Sequence, residues 1–298
     1  MAYGDYPPRM DPGRIVRDLQ QIMDKVGIKN AFLNYGRLPL YDPKIPMIFF
    51  WSEKSGCTSL VKWFFDKVGL LEEAAAHNRW VHNYENEVFK RQEGYLDRLI
   101  DAMADGVPSI KLVRDPGSRA FSGYLELTRH QLAVKKTAHW GFAARHKILK
   151  HIFGDHYHFD YPFSFVQYVD WLVQADPKEV NSHLAPQYTE AESFIPGGAR
   201  LMRLENYDGE IAALEQELGL AAPKDEGEKL TDSGHHHEKH QLDGFNLDAF
   251  LNMGVPLQRG PRFLLPVVTT ETLKACQGGV FDKVSQAYEI DYKTYGYG

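Results

Sequence analysis

The sequence predicts an α/β fold, a central parallel sheet flanked by helices, and three observations carry that expectation. Two short apolar runs, PMIFFW at Pro46–Trp51 and the middle of VPSIKLVRDP, have the length and unbroken hydrophobicity of strands buried on both faces. Each is closed by a turn-prone stretch and followed by apolar residues at helical spacing. Hydrophobic residues make up 43% of the 298, enough for one sizeable core, and no repeat or Pro/Gly/Ser-rich linker cuts the chain. One domain over 1–298 is therefore expected.

In chain order, residues 1–13 are rich in proline and glycine and read as an irregular arm. Ile15, Leu19, Ile22 and Val26 mark a helix over Ile15–Val26. The first strand follows Pro43 and Pro46. TSLVKWFFDKVGLL then resumes helical spacing up to Gly69. Tyr95–Ala104 is a helix ending near Gly106, and the second strand is closed by Asp115-Pro116, with a helix from about Ser118 to Val134. Residues 135–163 carry no assignable period. Phe163–Gln174 is helical, Arg200–Leu204 a short strand, Gly209–Leu218 a helix, and Thr270–Tyr292 helical again. Residues 221–244, with the run HHHEKH, read as a mobile loop.

A formal net charge of −6 argues against a general nucleic-acid binder, which needs a basic footprint. Cys57 and Cys276 are too few for a disulfide framework. No cationic stretch followed by an apolar one opens the chain, and no apolar run is long enough to span a bilayer. A reduced, cytoplasmic protein without a transmembrane segment is the expectation. His235–His237 and His240 lack the spacing of a metal site, and no metal is expected there.

Chemistry concentrates at the two strand ends. After the first strand comes SEKSGCTS: a strand-to-helix loop presents N–H groups and a positive helix end to an anion. Gly56 permits close backbone approach, Ser55, Thr58 and Ser59 add hydroxyls, and Lys54 adds a cation. The order is not that of a Walker A loop, because the lysine precedes the glycine. An ordinary strand-to-helix turn accounts for the same residues about as well. After the second strand comes LVRDPGSRAFSGY. Arg114 there suits a bidentate grip on phosphate, and Ser122 on the following helix can turn to the same group. Arg119 is a further donor or the partner of an acidic neighbour such as Asp115, the structural role being slightly favoured.

Taken together, KSGCTS after one strand and VRDPxxRxxSxY after another resemble the PAPS-dependent sulfotransferases, whose donor is 3′-phosphoadenosine 5′-phosphosulfate (PAPS). The first is similar to their P-loop-like 5′-phosphosulfate loop, the second to their 3′-phosphate element. SHLAPQ (Ser182–Gln187), RLENYDGEIAALEQELGL and FDKVSQAYEIDYKTYGY resemble segments of the carbohydrate sulfotransferase branch. The likeness spans roughly residues 45–298, weakest across 135–180 and 221–262. It departs at Glu53, where the family has proline, and at Cys57, where a small residue is usual.

The resemblance implies that Lys54 stabilises the leaving oxygen, that Ser55, Gly56, Cys57, Thr58 and Ser59 hold the 5′ end, and that Arg114 and Ser122 hold the 3′-phosphate, with no metal. The acceptor is expected to be a glycan or glycolipid bearing a hydroxyl or amine. Histidine suits the base at neutral pH. His82 lies between the motifs, roughly where a related branch places its base; His183 rivals it, and Glu85 is a third choice. A catalytically silent binding protein of the same fold and an atypical P-loop kinase are the alternatives.

Overall fold

The computed structural model describes residues 20, 23–32, 37–129, 132, 139–220, 239–240, 245–257 and 265–298. The chain is mixed α/β, with a four-stranded, mostly parallel sheet among the described residues. Strand β1 (Leu40–Asp42) lies antiparallel to β2 (Ile45–Phe50). The turn between them is set by Asp42, whose Oδ1 accepts the Lys44 N–H at 2.9 Å. β2, β3 (Ser109–Val113) and β4 (Arg200–Arg203) are parallel, with Phe49 opposite Ile110 and Leu112 opposite Met202. The sheet thus carries an antiparallel edge that the sequence reading did not contain.

Helix α1 occupies 23–32 and runs past the expected stop at Val26, while Ile15 and Leu19 lie outside the described residues. After β2 come α2 (Cys57–Val68), the short α3 (Leu71–His77) and α4 (Val81–Glu87), then α5 (Tyr95–Ala104). Phe49, Trp63, Phe64, Phe65, Tyr84 and Phe89 meet edge to face at centroid separations of 5.2 to 5.8 Å on this side of the sheet.

After β3, Asp115 caps α6 (Pro116–Leu127) by accepting the Ser118 N–H at 2.7 Å. This helix ends at Leu127, short of the expected Val134. The stretch left unassigned contains α7 (Trp140–Phe153), whose buried face includes Arg145. That guanidinium donates to the carbonyls of Leu127, Phe159 and Tyr161 at 2.8, 2.8 and 2.6 Å. α8 (Phe165–Gln174) packs with α6 and α7 in a second apolar cluster through Phe121, Tyr124, Phe165 and Tyr168.

Helix α9 (Tyr207–Leu218) follows β4. Lys239–His240 (β5) pairs with Leu265–Pro266 (β6), and α10 (Leu247–Asn252) lies between them in sequence. The rest of the expected 221–244 loop lies outside the described residues, as do residues 1–13. The expected C-terminal helix is three: α11 (Thr270–Lys274), α12 (Val280–Ala287) and α13 (Glu289–Tyr295), with the first break at Gly278 and Gly279, which adopt positive φ, and the second at Tyr288. No helix among the described residues is long and apolar enough to cross a membrane.

Candidate functional site

The loop between β2 and α2 is wound tightly enough to bury Ser52, Glu53 and Ser55. Ser55 is wholly buried; its hydroxyl donates to the Ser52 carbonyl at 2.6 Å and accepts the Ser52 N–H at 3.3 Å. Expected from the sequence to face a ligand, this hydroxyl braces the turn instead. Lys54 and Gly56 both take left-handed backbone, φ 65 and 86. Lys54 is the one non-glycine residue with positive φ among those described. At Gly56 a Cβ would lie 2.4 Å from Leu204 Cδ1, the end of a side chain that can turn aside, so the positive φ is what calls for glycine.

This turn delivers the N-terminus of α2 with no side-chain cap. The Ser59 and Leu60 N–H groups bond the Gly56 carbonyl, while those of Gly56, Cys57 and Thr58 take no acceptor among the described residues. Three open donors and a positive helix end, beside a lysine, are an arrangement chemically suited to an anion. Ser59 is buried and the Thr58 hydroxyl lies 3.2 Å from His82 Nε2.

At the end of β3, Arg114 sends Nη1 to the Lys54 carbonyl at 2.8 Å, so the two sequence motifs meet at the carboxyl ends of the parallel strands. Its backbone is held at both groups by the Gln187 side chain: N–H to Oε1 at 2.9 Å, carbonyl from Nε2 at 2.8 Å. Burial lowers its guanidinium to about 10, against the support of Glu205 and Asp115, and it remains cationic at neutral pH. Arg119 makes no pair with Asp115. It is buried and donates to the carbonyls of Glu53, Ala185 and Ser182 at 2.9, 2.6 and 3.1 Å. Asp115, besides capping α6, accepts the Thr270 N–H at 3.0 Å, and its own N–H goes to Glu205 Oε1 at 2.7 Å. Ser122 sits on α6 with its hydroxyl bonded to no described residue.

The segment 182–187 forms a third wall. Ser182 Oγ donates to Glu53 Oε1 at 2.7 Å, and Asp291 accepts the N–H groups of Gln187 and Tyr188 at 2.8 and 3.0 Å. Tyr288 donates to the Leu184 carbonyl at 2.7 Å. Glu53 does not point into solvent: it is buried and ion-paired with Arg37, whose guanidinium lies 4.2 Å from the Trp51 ring.

Lys54 Nζ rests on Glu126 Oε2 at 3.0 Å and faces the Trp140 ring at 5.9 Å. Burial pulls its ammonium below the ordinary lysine value, with Glu126 restoring part. Glu126 also meets Arg129 at 3.2 Å and His139 at 3.6 Å. Burial opposes its ionisation, yet His139, Lys54 and Arg129 together hold the carboxyl well below the usual range. Neither Glu126 nor Trp140 was selected from the sequence. The spacing of Arg119, Ser122 and Glu126 along one helical face is the signal that could have found Glu126.

The two candidate histidines differ. His183 stacks on Trp140 at 4.1 Å and 14°, and its Nδ1 lies 2.9 Å from Asn181 Oδ1. Burial, then Lys54, Arg37 and Arg119, push it down to about 2, so the ring stays neutral. With Nδ1–H donated to Asn181, Nε2 carries the lone pair. His82 is buried on α4 with Nδ1 2.6 Å from Glu85 Oε2, and Glu85 Oε1 is bonded by Lys90 at 2.5 Å. Burial lowers the His82 value, but Cys57 and Glu85 outweigh it and raise the ring to about 9. A carboxylate held down to about 2 against its burial by Lys90 and His82 completes the row. Glu85 has no exposed oxygen for proton abstraction, which removes it as a base.

Fold and site together define a mixed α/β protein whose mostly parallel sheet carries, at the carboxyl ends of β2 and β3, a loop with open N–H groups beside Lys54 and Arg114. Compared with protein-family models, with curated proteins and with solved structures, the chain matches none. Among the described residues no three His, Cys, Asp or Glu side chains converge on a point where a metal could sit. The segment His235–His237 lies outside the described residues, and nothing is described of the His240 side chain.

Proposed function

We propose that this chain is a sulfotransferase, transferring a sulfuryl group from PAPS to a hydroxyl or amine of a carbohydrate or glycolipid acceptor. The observation that carries the reading is the Arg114–Lys54 contact at 2.8 Å, which joins both phosphate-type motifs around the open N–H groups of Gly56, Cys57 and Thr58. Such a donor set fits an anion with two separate phosphate-like ends and needs no Walker lysine.

PAPS supplies the activated sulfuryl group and a leaving oxygen on its 5′-phosphate. The N–H groups opening α2 hold the 5′ end, with Lys54 beside them as the cation that follows charge onto that oxygen. In the resting chain Glu126 holds Lys54 at 3.0 Å; donor binding replaces that partner. Arg114 and the unengaged hydroxyl of Ser122 serve the 3′-phosphate. His183 is the better base. Its ring is neutral with Nε2 unprotonated, whereas His82 carries a proton at neutral pH. Burial, then Lys54, Arg37 and Arg119, depress His183, and a bound anion beside Lys54 offsets the cationic part of that depression.

Calorimetric titration with 3′-phosphoadenosine 5′-phosphate, ADP, and ATP with and without magnesium tests the reading. Metal-independent binding of the 3′-phosphorylated nucleotide alone is expected. Preference for magnesium–ATP would make the chain a kinase, and no nucleotide binding would leave a silent binding protein of this fold.

A further inference from the structure

The reaction outlined above gives Trp51 and Lys90 no part, yet with Arg37 they line a cavity of about 290 Å³ beside the end of β2. That volume is far above the ~10–15 Å³ that seats one water and near the lower end of small-ligand pockets, about 300–1,000 Å³. Leu38, Asn86 and Arg91 complete its walls, so every charged side chain lining it is a cation. Arg37 is ion-paired with the buried Glu53, and Lys90 donates to Glu85 at 2.5 Å and to the Leu38 carbonyl. Those bonds hold both heads in place without using all their donors, since a guanidinium has five N–H groups and an ammonium three. Arg91 is exposed and meets no carboxylate among the described residues.

Trp51 supplies an independent observation. It is 5% exposed, and its indole Nε1 is buried with no hydrogen-bond partner among the described residues. A buried donor without an acceptor carries its full desolvation cost, and in a native fold it calls for a partner. Arg37 lies 4.2 Å and Lys90 5.3 Å from the centroid of its ring, and the His82 ring is 5.1 Å away. Burial lowers the Arg37 guanidinium to about 10, and it remains cationic at neutral pH. The cavity thus gathers two fixed cations, an exposed third and a donor without an acceptor; what it lacks is negative charge.

We propose that this cavity binds an oxyanion carried on a sugar, a carboxylate or a sulfate ester, which takes the Trp51 N–H and the open donors of Arg37, Lys90 and Arg91. The planar fork of a guanidinium matches either group. The site is distinct from the N–H groups that open α2, because its lining includes neither the loop 54–59 nor Arg114. Glu53 links the two: it pairs with Arg37, and its Oε1 lies 4.0 Å from His183 Nδ1. One consequence rests on the sulfotransferase reading, namely that the cavity then selects acidic acceptor glycans over neutral ones.

The test is calorimetric titration of the full chain, without nucleotide, with methyl glucuronide, glucose 6-sulfate and, as the neutral control, methyl glucoside. The charged sugars are expected to bind at least about tenfold more tightly than the neutral one, the tighter of them naming the oxyanion. Trp51→Phe keeps a ring beside the two cations and removes the N–H, and charged-sugar affinity should fall about tenfold. Arg91→Gln, at an exposed position, should lower it about threefold and carries the test should Trp51→Phe fail to fold, both variants being compared by thermal unfolding. Charged sugars binding no better than methyl glucoside, or an affinity unmoved in the folded variants, would overturn the assignment. Titration of the same preparation with 3′-phosphoadenosine 5′-phosphate separates the two ideas. Charged-sugar binding without nucleotide binding keeps the site and removes the acceptor preference, whereas nucleotide binding without charged-sugar binding defeats the site alone.

Discussion

Lys54 is held in left-handed backbone and its ammonium rests on a carboxylate that has two other cationic neighbours. Removing the side chain therefore leaves Glu126 still compensated by Arg129 and His139, and the fold is expected to survive. In single-turnover transfer assays Lys54→Ala should lose about 10²–10³ in rate, the scale of one donor aimed at developing charge. His183→Asn should lose about 10²–10⁴, with little change in nucleotide affinity. Equal losses of nucleotide affinity and rate in both variants would instead mean that they only bind the donor. At Gly56 the φ of 86 is what calls for glycine, so its presence in the sequence signalled a turn without distinguishing backbone geometry from ligand approach.

Elements were legible where one physical rule dominated. β2 and β3 are buried on both faces, and such strands show as continuous apolar runs. The start of α6 is marked by Asp115-Pro116, a cap followed by a residue that cannot donate anyway. Where polar groups are buried against each other, the period disappears. α4 buries His82, Tyr84 and Glu85, and α7 buries Arg145, so neither shows a clean apolar stripe. The site was legible as two motifs, not as their linkage: Lys54 and Glu126 are 72 positions apart, and Arg114 and Gln187 are 73. Gln187 is the element-scale test. Gln187→Ala unpairs both backbone groups of Arg114 and is expected to cost about 1–3 kcal/mol in chemical unfolding. Nucleotide affinity should fall with it, since the loosened strand end carries Arg114. A stable variant with normal affinity would show that the clamp is dispensable.

At the scale of the whole molecule, Glu85 and Glu126 both contribute to the response to acid, and Glu85 illustrates how. Its carboxyl ionises near 2 in the fold against about 4.5 when exposed, so below that ordinary value the unfolded chain binds a proton the native chain refuses. The stability it contributes is fully present above about pH 4.5 and is lost as pH falls from there through about 2. Thermal melts from pH 7 to 3 should show this decline in wild type and a shallower one in Glu85→Gln, which starts lower because Lys90 and His82 lose their counter-ion. Parallel lines for the two proteins would remove Glu85 from the acid response.

Asp291 fixes the backbone of Gln187 and Tyr188 from 104 and 103 positions away, and Gln187 in turn fixes Arg114. A nascent chain on the ribosome therefore carries both strand-end motifs long before it can order them. Until residue 291 has emerged, the segment 182–187 lacks the carboxylate that holds Gln187 and Tyr188, and any fragment released early would display both strand-end loops without that brace.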